Sequence, residues 1–119
     1  MSAAPKGPYK LVTVNTAPAR AKIVIGRVVE AVKDKYTIIH AGNVDNPEGV
    51  PAKVKEVQPD ILFTASMWTP EQAQAIVKSA KEAKDGELLT FSLPQGLQVE
   101  KGPDGVFEYI LENLPSLLG

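Results

Sequence analysis

The chain has 119 residues, 44% apolar and 23% charged, which fits one globular domain with enough core to fold without staples and excludes disorder of the whole. It has no cysteine, which excludes disulfides, thiolate metal sites and a cysteine nucleophile. Thirteen basic residues against fourteen acidic ones leave a formal net charge of −1 and no basic stripe, so nucleic acid is not an expected partner. No apolar run reaches the roughly 18 residues of a membrane span, and a membrane is not expected either. The first eight residues, rich in Pro, Gly and small side chains, read as a disordered leader without the apolar core of a secretory signal. With the absence of cysteine, this points to a cytoplasmic setting.

Short apolar runs then alternate with longer amphipathic stretches, the pattern of βαβ units. The first strand is expected over Tyr9–Val14. Asn15-Thr16-Ala17-Pro18 breaks it, with Thr16 as N-cap and Pro18 in the first turn, where its missing N–H costs nothing. A helix to about Asp34 buries Ala21, Val24, Ile25, Val28 and Val32 on one stripe. Gly26 in its middle points to a close approach of helix and sheet. The β-branched run Tyr36–His40 gives a second strand, followed by a polar loop through Asn46. Asn46-Pro47 then opens a short helix to about Val57.

The third strand, Ile61–Ala65, is apolar on both faces, as a central parallel strand requires. Thr69-Pro70-Glu71-Gln72 is the clearest helix start: Thr69 caps, Pro70 takes the first position and Gln72 completes a capping box. That helix ends near Asp85-Gly86. Glu87–Ser92 forms the fourth strand, and Leu97–Glu100 reads as extended. A last helix opens near Gly102-Pro103-Asp104 and stops at Pro115, with Leu117 and Leu118 folding back on the body. Four strands alternating with four helices, joined by right-handed crossovers, give a three-layer α/β fold on a short parallel sheet of order 2-1-3-4, a flavodoxin-like or Rossmann-like topology.

In such sheets ligands bind beyond the carboxyl ends of the strands where the strand order reverses, here between strands one and three. The loops at that end carry Asn15, Thr16 and Arg20 after strand one and His40 and Asn43 at strand two. They carry Ser66, Trp68 and Thr69 after strand three, and Ser92 and Gln95 after strand four. Two of the loops run into helix N-termini, whose free N–H groups and dipole favour an anion. Arg20 adds a forked donor suited to phosphate or carboxylate, and Trp68 offers a ring face. Against this stand plainer roles: Thr16 and Thr69 as caps, Arg20 in solvent, His40 as a hydrogen-bonded strand-end residue and Trp68 as a lid on the core.

The sequence lacks the glycine fingerprint of dinucleotide sites, the phosphate-binding P-loop and the G-x-S-x-G elbow, so it names no cofactor. A receiver domain would need clustered carboxylates where Asn15 and Ser66 stand. One histidine without cysteine leaves no zinc spacing. Three readings follow. The first is a domain binding a small, anionic or phosphate-bearing molecule at the strand ends. The second is a homo-oligomer, most simply a dimer, or a protein-interaction module; it rests on Ile23, Val29 and the leucines at 114, 117 and 118. The third is a small enzyme with His40 as acid–base residue.

Overall fold

The computed structural model of the chain describes residues 6–118. The elements in order are β1 (Lys6–Val14), α1 (Pro18–Val32), β2 (Tyr36–Val44), a single 3₁₀ turn (Pro47–Gly49), α2 (Val50–Val57), β3 (Ile61–Thr64), α3 (Pro70–Ala83), β4 (Leu89–Ser92) and α4 (Leu97–Leu118). The four strands form one parallel sheet in the order β2-β1-β3-β4, as the crossover argument requires.

The strand period of two separates two cores. Leu11, Ile38, Ile61 and Phe63 face α1 and α4 and pack on Val24, Ile25, Val28, Val106, Ile110 and Leu114. Val12, Val14, Val44 and Leu62 face α2 and α3 and pack on Val50, Val54, Ala73, Ile76 and Ala80. β3 and the second half of β1, Leu11–Val14, are therefore buried on both faces, which is why their sequences are mainly apolar at successive positions, with Thr13 and Thr64 the polar residues among them.

Several expectations need correction. β1 begins at Lys6, so the last three residues of the expected leader extend the strand, and residues 1–5 lie outside those described. β2 runs on to Val44 beside β1, through what reads as loop. Gly26 does not allow close packing: a Cβ there would meet nothing within 4 Å, because the residue faces solvent. Leu97–Glu100 is helical, and the chain changes direction at Gly102, whose φ of 70° suits glycine. Pro115 does not end α4, which continues to Leu118. Leu114 and Leu118 are buried and Leu117 and Val29 pack on the core, leaving Ile23, 65% exposed, as the apolar residue of that group outside it.

Candidate functional site

At the carboxyl end of the sheet, β1 leaves through Asn15 and Thr16 into α1. Pro18 fixes the backbone at the first helical position, and Asn15 folds back so that its Oδ1 accepts the Ala17 N–H at 2.7 Å. The helix is capped by no side chain: the N-cap is Ala17, not Thr16. Thr16 turns away, and its N–H and hydroxyl both donate to the Met67 thioether sulfur at 3.2 Å, across the gap between the β1 and β3 exits. The first turn of α1 therefore presents its free N–H groups without a side-chain acceptor.

A polar chain lies beneath that turn. Thr13, 5% exposed, sits among apolar neighbours on β1. Its hydroxyl donates to Asn43 Oδ1 at 2.6 Å, and Asn43 Nδ2 donates to the Asn15 carbonyl at 3.0 Å. The hydroxyl has one proton, so His40 Nε2, 2.9 Å away, must be the donor of its own bond to Thr13. Burial holds His40 below its ordinary value of 6.5 and Lys22 pushes the same way, while the hydrogen bond with the Gly42 carbonyl opposes them. The neutral form of the imidazole is thus more favoured than it is in the unfolded chain.

Between α1, α4 and the ends of β1 and β3 lies a cavity of about 40 Å³. Val24, Phe63, Val106 and Ile110 supply its apolar walls, and Asn15, Arg20, Ser66 and Gln98 its polar portion. Arg20 is exposed and has no ion-pair partner among the described residues. Ser66 is buried; its hydroxyl oxygen accepts the Gln98 N–H at 3.1 Å and its carbonyl accepts the Gly96 N–H at 2.9 Å, which docks the start of α4 on the end of β3. Thr64 borders the same cavity, and its buried hydroxyl has no hydrogen-bond partner among the described residues. Thr64 pairs with Val14, however, so strand alternation turns its side chain toward α2 and α3.

The expected rim divides into three places. Asn15, Arg20 and Ser66 meet at the cavity. His40 and Asn43 line a shallow groove of about 520 Å³ with Pro18 and Lys22. Ser92, Gln95 and Trp68 border a groove of about 870 Å³ between β4 and α3. Thr16 and Thr69 line none of the three. Trp68 is 8% exposed and its indole N–H donates to the Val14 carbonyl at 2.9 Å, so it closes the core and offers no open ring face. Thr69 caps α3 with the full reciprocal box: its hydroxyl accepts from Gln72 N–H at 3.1 Å, and its N–H donates to Gln72 Oε1 at 2.9 Å.

Sequence reasoning missed Thr13, Met67 and Gln98. A lone hydroxyl between Val12 and Val14 was the available signal for the first, and Met67 stood inside a loop already singled out. Nothing in the sequence marks Gln98, which depends on the helical start of α4. Among the described residues, no group of three or more His, Cys, Asp or Glu side chains is placed to hold a metal ion, and no helix is long and apolar enough to cross a membrane.

No protein-family model matches the chain, and no curated protein matches it. Among solved structures it is similar to the signal receiver domain of NarL from Mycobacterium tuberculosis. That likeness has a TM-score of 0.47 and 14% identity, over 90% of this chain and 96% of that one. It is a likeness of chain path and no more.

Proposed function

We propose that the chain is a small-molecule binding domain whose ligand sits at the strand-order reversal between β1 and β3, its anionic group at the start of α1 and a short apolar group in the cavity beneath. The observation that carries this reading is the cavity itself, at the position where open parallel sheets bind ligands, with the unpaired Arg20 and an uncapped helix N-terminus at its edge. Its size limits the ligand. A cavity that takes benzene measures roughly 150 Å³, so about 40 Å³ admits a group of a few heavy atoms. A short carboxylate or a phosphate ester with a small apolar end has the right chemistry, because Arg20 presents paired donors to either anion.

Thermal-shift titration with short carboxylates, phosphomonoesters, nucleotides and flavin, after native mass spectrometry of the purified protein, tests the reading. A ligand present at 100 times its Kd stabilises the fold by about 2.7 kcal/mol, and Arg20→Gln should lose most of that gain. If no compound shifts the transition at millimolar concentration, and none co-purifies, the reading fails.

The other two readings have less support. His40 spends Nε2 on Thr13 and lines a groove apart from the cavity, where the one other titratable group among the lining residues is Lys22 and no carboxylate joins them. For homo-oligomerisation, the C-terminal leucines are spent on the core and Ile23 remains.

A further inference from the structure

We propose that the outer edge of β4, with the groove between β4 and α3, is a docking surface for an extended acidic peptide segment of another protein, which adds to the sheet as a fifth strand. β4 pairs with β3 alone. Its Leu89 and Leu93 N–H groups donate inward, to the Asp60 and Thr64 carbonyls at 3.0 Å. In a parallel ladder the alternate residues face the other way, so Thr90 and Ser92 direct their N–H and C=O groups outward, away from β3. Neither residue carries a charge, and neither is proline, so each keeps a backbone N–H group for pairing.

The side chains of Thr90 and Ser92 join α3 in lining the open groove of about 870 Å³. Val77 and the edge of Trp68 give it apolar surface, and Lys78 and Lys81 stand exposed along it. Neither lysine has an ion-pair partner among the described residues, and Glu82 is the one acid on the groove. A strand added here would place alternate side chains over Val77 and bring acidic ones within reach of the two lysines. The same charges argue against a second copy as the occupant. Two-fold antiparallel pairing of β4 with itself would set α3 beside its own copy, lysine face against lysine face.

The test uses the full chain, ¹⁵N-labelled, titrated with a blocked peptide of alternating Glu and Val and with its Lys–Val counterpart. We expect the acidic peptide to shift the Thr90 and Ser92 amides and to slow their hydrogen exchange tenfold or more. The basic peptide should bind at least tenfold more weakly. The Lys78→Glu/Lys81→Glu double variant, changed only at exposed positions and checked by circular dichroism, should reverse that preference. Methylating alternate amide nitrogens of the acidic peptide should abolish the protection while leaving its charge intact. Equal binding of the two peptides, no response at β4 with millimolar acidic peptide, or protection unaffected by N-methylation would each overturn the proposal. So would sedimentation showing a dimer whose Thr90 and Ser92 amides are protected without peptide, which would make the occupant a second copy.

Discussion

Helices α1 and α3 start at the same end of the sheet, each after a parallel strand, each with a proline at its first position, yet they are secured in opposite ways. α3 is closed: Thr69 and Gln72 satisfy each other's backbone N–H groups, and Trp68 just before them is buried with its indole bonded to β1. α1 is open. Ala17 offers its helix no acceptor, and the loop before it is held from below by the His40–Thr13–Asn43–Asn15 chain and from the side by Met67. A helix start fully paid for by its own residues has nothing left for a ligand, whereas one held in place without being capped keeps its N–H groups and its dipole available. The contrast separates the structural end from the candidate site more sharply than residue type does, since both loops contain threonine before proline.

Substitutions can test how deep the contrast goes. The largest effect should come from Trp68→Ala, which empties a buried site and removes the second donor to the Val14 carbonyl; Ala65 N–H still donates to it at 3.1 Å. A loss of about 3–5 kcal/mol in urea unfolding is expected. A loss below about 1 kcal/mol would mean that the ring is not a core anchor. Next comes the pair of threonines. Thr69→Ala should cost about 1 kcal/mol, the usual worth of an N-cap. Thr16→Ala should stay within about 0.5 kcal/mol, because only the hydroxyl's bond to the Met67 sulfur is lost and the backbone N–H keeps its own. Equal losses for the two would erase the distinction between the helix starts.

Much of this architecture is legible in the sequence, and the failures have physical causes. The strand order follows from alternation and handed crossovers, and α3 from a capping box whose residues act only on one another. Thr16 was misread because its spacing before Pro18 fits a cap, while the competing partner, Met67, lies 51 residues away and is brought close only by the parallel sheet. Gly26 was misread because a helical glycine signals either close packing or open surface, and local sequence does not distinguish them. β2 outran its apolar run because pairing with β1 supplies backbone bonds that side-chain type does not predict. The candidate residues were read as one rim at the strand ends, but gathering Asn15, Arg20 and Ser66 while dispersing His40, Ser92 and Gln95 depends on α4 packing beside α1. That follows from the break at Gly102 and from no single motif.

A gentler substitution sharpens the α1 side. Ala17→Asp supplies the missing acceptor, and a new N-cap should stabilise the fold by about 0.5–1 kcal/mol. The same carboxylate would occupy the N–H groups proposed for the ligand and pair with Arg20 nearby, so binding of an anionic ligand should weaken at least tenfold. Higher stability with unchanged affinity would place the ligand elsewhere.

The smallest effect concerns what lies beneath α1. His40 is held below 6.5 by burial, with Lys22 reinforcing and the Gly42 carbonyl opposing. The unfolded chain takes up a proton on this histidine at about 6.5, the folded chain only at lower pH. Between those two values the unfolded state binds more protons, so stability falls as pH drops through that window; it is undiminished above it and levels off below the folded value. His40→Gln keeps a side-chain donor for Thr13 and removes the titration. Urea unfolding of both proteins between about pH 7.5 and 5 should show the wild type losing stability relative to the variant as the pH falls. Parallel curves would mean that the imidazole is as well hydrated in the folded chain as in the unfolded one.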